Sequence, residues 1–68
     1  MELSARNQYK GRVVSITRGG VVAEVIVDIG NGQQIVSVIT NSSVDRLDLK
    51  EGSDVTTIVK ATEVMLAR

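Results

Sequence analysis

Cysteine, histidine, proline, phenylalanine and tryptophan do not occur in the sequence, and the only aromatic residue is Tyr9. Without cysteine or histidine there is no disulfide, no thiolate nucleophile, no imidazole acid–base chemistry and no soft-metal site. An excess of either charge is also missing. Eight Lys and Arg offset eight Asp and Glu, so no broad field steers the chain onto nucleic acid or an anionic membrane. No apolar run approaches the roughly 20 residues of a membrane helix, and Met1-Glu2-Leu3-Ser4-Ala5-Arg6 lacks the layout of a secretory signal. These absences lead us to expect a cytoplasmic protein without membrane or nucleic-acid partners and without catalytic activity.

What is present is branched. Twelve Val, six Ile and five Thr make up about a third of the 68 residues, and stiffness at χ1 on that scale favours strands. A chain of this length builds one core at most, which gives a single domain over residues 1–68. Gly11–Thr17 reads as a first strand, with Val14 and Ile16 toward the core and Val13 and Ser15 away from it. Gly19-Gly20 is expected to supply the positive φ values of a tight hairpin. Val21–Ile29 follows as a second strand with an apolar odd face of Val21, Ala23, Val25, Val27 and Ile29. Gly30-Asn31-Gly32 is the clearest turn and leads into a third strand, Gln33–Thr40.

The alternation stops at Asn41-Ser42-Ser43-Val44-Asp45-Arg46-Leu47, where capping residues precede Val44 and Leu47 at helical spacing and Asp45 suits a first turn. Val55–Lys60 returns to strand, and Val64-Met65-Leu66 is expected to form a last short one. Three strands, a short helix and two more strands predict an all-β, five-stranded OB-like Greek-key barrel with the helix between strands three and four. An SH3-like barrel is the alternative. Strands two and three carry apolar residues on both faces, with Val22, Ile26, Val36 and Val38 on the second. A chain too small for a large core commonly completes its burial with further subunits, so a homo-oligomer is expected.

Three segments remain: Ser4-Ala5-Arg6-Asn7-Gln8, Ile39-Thr40-Asn41-Ser42-Ser43-Val44 and Val59-Lys60-Ala61-Thr62-Glu63-Val64-Met65. In this order, within a chain this short, they resemble the molbindins, small stand-alone molybdate-binding proteins. The resemblance spans nearly the whole chain. It implies an OB-like subunit assembled as a hexamer, a trimer of dimers, that holds molybdate or tungstate between subunits for cytoplasmic storage or homeostasis, without a catalytic cofactor. The chain has no room for the regulator or transporter fusions in which the same domain occurs.

By analogy with that family the anion contacts fall on Ser4, Arg6, Thr40, Ser43, Lys60 and Thr62, with backbone N–H groups at Ala5, Asn7 or Ala61 beside them. Thr62 stands where many members are expected to have Ser, which keeps the hydroxyl and adds a methyl. No side chain binds the metal directly.

The chemistry of these residue types agrees. A tetrahedral dianion offers four oxygens that only accept hydrogen bonds, so its site needs donors and positive charge and excludes carboxylates. Arg6 brings a planar fork, Lys60 a compact ammonium, and Ser4, Thr40, Ser43 and Thr62 bring hydroxyls. No Asp or Glu interrupts these stretches before Glu63. Two other readings compete: an OB module for single-stranded nucleic acid, which needs the aromatic platforms and basic groove missing here, and a purely structural oligomerisation domain.

Overall fold

A computed structural model of the chain describes residues 2–68; Met1, the first residue of the expected domain, lies outside the described residues. Strands β1 (Asn7–Arg18), β2 (Val22–Gly30) and β3 (Gln33–Thr40) are followed by a short helix, α1 (Asn41–Arg46), strand β4 (Asp54–Val59) and a single 3-10 turn, Ala61–Glu63. All four strands lie in one antiparallel sheet in the order β3-β2-β1-β4. The expected meander of the first three strands and the helix before β4 are therefore present. The fifth strand is not: Val64–Leu66 has no ladder partner, and Met65 and Leu66 are more than 90% exposed. Its apolar pattern suits a strand, but pairing also requires a free edge within reach.

The core is small. Val13, Ala23, Val25, Val27 and Val44 are buried, with Ile16, Ile29, Ile39, Leu49 and Val55 packed against them. The odd face of β2 turns inward from Ala23 onward as its alternation indicates, whereas Val21, expected to begin that face, precedes the strand and is 73% exposed. In β1 the expected facing is reversed over its first half, because Val13 is buried while Val14 is 43% exposed. A register shift between Val13 and Ser15 against β2 explains this: the extra residue carries Val14 outward and returns Ile16 to the core. The Val13 N–H donates to the Ser53 carbonyl and its carbonyl accepts from the Gly52 N–H, so the bulge is held by the turn before β4.

The two glycine turns differ. Gly30, Asn31 and Gly32 all have positive φ, and the Asp28 carboxylate accepts from the Gly30 N–H at 2.8 Å, which seals the expected turn. Gly19 and Gly20 are not among the positive-φ residues, contrary to expectation. The link there runs over three residues, Gly19–Val21, rather than the two of a tight hairpin, and the Gly19 N–H donates to the Val22 carbonyl across it, so the longer loop relieves the glycines of left-handed geometry.

Helix α1 caps the sheet by inserting Val44, which is fully buried. Asp45 lies beyond the first turn expected for it and instead ion-pairs with Arg18 at 2.7 Å. The helix ends without glycine: Asp48 takes φ 50°, its N–H donates to the Asp45 carbonyl, and the Leu49 N–H reaches back to the Val44 carbonyl. This is a Schellman stop, and it swings Leu49 onto the core.

A contrast between two glycines tests the packing. A Cβ on Gly11 would lie 2.5 Å from the Asp28 carbonyl oxygen and 2.7 Å from Val27 Cγ1, whereas one on Gly20 meets nothing within 4 Å. Gly11→Ala is expected to cost about 1–3 kcal/mol through strand displacement, and Gly20→Ala to be neutral or stabilising by up to about 1 kcal/mol. Denaturant titration of the two variants at equal protein concentration checks the order.

Candidate functional site: a cationic cleft at the end of the sheet

The ladder between β1 and β4 runs from Arg12 opposite Asp54 to Asn7 opposite Val59. Beyond the pair Asn7–Val59, Ser4, Ala5 and Arg6 precede β1 and Lys60, Ala61 and Thr62 follow β4, so the two segments leave the sheet from neighbouring strand ends. These residues and Asn7 line a cleft of about 530 Å³. The β1–β4 ladder thus brings the starting points of two segments separated by more than 50 residues to one end of the sheet. The 3-10 turn at Ala61–Glu63, closed by the Glu63 N–H on the Lys60 carbonyl at 2.9 Å, ends the strand there and rounds the cleft.

The electrostatics follow from what the two cations lack. Arg12, Arg18 and Lys50 are paired with Asp54, Asp45 and Asp48. Among the described residues neither Arg6 nor Lys60 has a carboxylate within ion-pair distance, and no Asp or Glu lines the cleft. An anion in this cleft would gain charge-assisted donors from both side chains.

Thr40 and Ser43 lie elsewhere. Thr40 pairs with Val22 at the start of β2, close to Arg18, while Asn7 lies at the opposite end of β1. The 12-residue length of β1, at about 3.3 Å per residue, separates them from the cleft. The nine residues nominated from the sequence thus divide within one chain: seven line the cleft, and two sit at the start of α1.

There Thr40, rather than Asn41 or a serine, is the cap. Its Oγ1 accepts from the Ser43 N–H at 3.1 Å and donates to Ser43 Oγ at 2.9 Å, with Ser42 Oγ 3.1 Å away. Arg46 donates to Ser43 Oγ at 3.4 Å. Asn41 ties this end to the β1–β2 link through its N–H on the Val21 carbonyl and its Nδ2 on the Gly19 carbonyl. From the sequence Asn41 reads as a capping residue within a family-like segment and Arg46 only as part of the helix; their contacts here depend on the fold.

The model of the TOBE domain matches residues 3–66, nearly the whole chain. The chain belongs to the TOBE domain family. Within it, "Molybdenum-pterin-binding protein 2" of Clostridium pasteurianum is 48% identical over 97% of both chains. A solved molybdate-binding protein from Sporomusa ovata superposes with a TM-score of 0.93 at 40% identity, covering both chains completely. The molybdate-bound structure of ModG, described as a cytoplasmic molybdate-binding protein, gives a TM-score of 0.86 at 39% identity over 90% of this chain and 43% of its own. The cleft of this TOBE domain therefore sits in a fold that the solved relatives share over their length, apart from ModG, which extends well beyond it.

Because Thr40 supplies the one side-chain cap of α1, Thr40→Val is expected to lower stability by about 1 kcal/mol. Thr40→Ser, which keeps the capping hydroxyl, should retain most of the parental stability. Thermal unfolding of the two variants beside the parent checks the difference.

Proposed function

We propose that this TOBE domain binds molybdate, and tungstate by the same contacts, in the cytoplasm, serving storage or homeostasis of the oxyanion rather than catalysis. The observation that carries the reading is that Arg6 and Lys60 line one cleft to which no carboxylate contributes. Ser4 and Thr62 add hydroxyls, and the backbone at Ala5, Asn7 and Ala61 adds N–H donors. The names of the relatives support the ligand.

The reading includes assembly. The curled sheet leaves its edge strands β3 and β4 on either side of an apolar groove of about 440 Å³, floored by Val25 and Val27 and flanked by Ile35, Ile39, Val55 and Val59. The same chain carries an unused extended apolar segment, Val64-Met65-Leu66. In our reading that segment from a second copy fills the groove as the fifth strand of an OB-like barrel, and a reciprocal exchange gives a two-fold dimer. A different surface stays uncovered, the outer face of β2 and β3, where Val22, Val36 and Val38 are exposed. One two-fold and one further self-contact generate a trimer of dimers. Thr40 and Ser43, too far away to serve their own cleft, reach an anion only across a subunit boundary.

Selectivity follows from the donors. Phosphate at neutral pH keeps a proton that needs an acceptor, which the ammonium, guanidinium and N–H groups do not supply. Sulfate is unprotonated but smaller, so fewer donors close good hydrogen bonds on it.

Calorimetry is expected to give binding in the order molybdate and tungstate, then sulfate, then phosphate. Arg6→Ala and Lys60→Ala should each cost about 2–4 kcal/mol of binding, one charge-assisted interaction to a dianion, and Thr62→Val about 0.5–1.5 kcal/mol. Parental affinity in both charge variants would overturn the placement of the site. Light scattering should report a hexamer at micromolar concentration that dissociates when Met65 and Leu66 are both replaced by Asp. A parent monomeric with and without molybdate would refute the assembly.

A further inference from the structure

Ser4 and Arg6 sit on a stretch that precedes β1 and belongs to no helix or strand. A donor on such a segment contributes fully only if its backbone is held before the anion arrives, because ordering it on binding subtracts from the affinity. Outside the β-ladders, one hydrogen bond among the described residues involves residues 2–6. The Gln8 side chain donates from Nε2 to the Ala5 carbonyl at 2.7 Å. A peptide unit is planar, so gripping this carbonyl fixes the plane from which Arg6 departs, with Ser4 one residue away. Gln8 itself does not line the cleft. It lies in β1 opposite Ile58, where the ladder anchors its own backbone, so the tether runs from a rigid element to a segment that lacks one.

We propose that Gln8 is a positioning residue for the anion cleft: its amide holds the Ser4–Arg6 segment at the opening suited to the larger tetrahedral oxyanions, and so sets selectivity as well as affinity. This rests on the reading of the cleft as an oxyanion site. A held segment keeps its donors at a fixed spacing. A loose one closes on whatever ion enters, which helps the smaller sulfate and wastes ordering on molybdate.

The test uses the full chain with Gln8→Met, which keeps the length of the side chain and removes the N–H. Calorimetry with sodium molybdate and with sodium sulfate at fixed ionic strength gives both affinities. Amide hydrogen exchange of residues 4–6 without any anion gives the order of the segment. Molybdate affinity should fall roughly three- to tenfold, the range of one neutral hydrogen bond. Sulfate affinity should fall less, so that the ratio narrows, and exchange at residues 4–6 should quicken while the anion-free melting temperature and the assembly stay as in the parent. Unchanged affinities in Gln8→Met overturn the proposal, as does an equal loss for both anions accompanied by a lower melting temperature, which marks a purely structural role. A parent that binds neither anion overturns the oxyanion reading itself, a result visible before any variant is compared.

Discussion

Four strands of this length curl but do not close, and most of what distinguishes the molecule follows from that geometry. The sheet ends on β3 at one side and β4 at the other, and both edges border the same apolar groove. Among the described residues only five are buried, all small or β-branched, so the interior has little to spare. The chain meets this by spending each backbone group near the core: the bulge at Val13 is bonded by the Gly52–Ser53 turn, and the helix stop at Asp48 satisfies the last carbonyls of α1. Lys60 lines both the groove and the cationic cleft. The apolar groove and the cationic cleft are therefore neighbours at one end of β4.

The cleft owes its charge to register. A shift of one residue between β1 and β4 would displace the Ser4–Arg6 segment along Lys60–Thr62 and change which side chains line the cleft. The register is kept by the alternation of β4, where Val55, Thr57 and Val59 are half-buried and Asp54, Thr56 and Ile58 are exposed. Core packing thus decides where two positive charges stand, although none of the packing residues is charged.

Much of this was legible in the residues. The odd face of β2, the Gly30-Asn31-Gly32 turn and the helix around Val44 follow from local periodicity and turn chemistry, which are properties of short stretches. The bulge was not legible, since Val13-Val14 offers two equivalent apolar side chains and only the pairing with β2 and the 52–53 turn selects between them. The helix stop was hidden because an aspartate holds a conformation usually given to glycine. Val64–Leu66 was read as a strand from its pattern, but pattern does not supply a partner, and within this chain none is offered. The seven residues of the cleft were nominated from segments far apart, and the ladder explains their meeting; the separation of Thr40 and Ser43 from them is a matter of strand length that no motif encodes.

The edge position of β3 also bears on the life of an unassembled copy. Its central run, Ile35-Val36-Ser37-Val38-Ile39, carries no charge and no proline, and one side of its backbone has no neighbouring strand. Such a segment is a template for stacking identical chains into cross-β fibrils. While the groove beside it stands open, a freshly synthesised chain is exposed to that fate in proportion to its concentration and the time it spends alone. If the proposed self-assembly covers this edge, assembly protects solubility, and a variant that cannot assemble would be exposed to aggregation before any loss of ligand mattered.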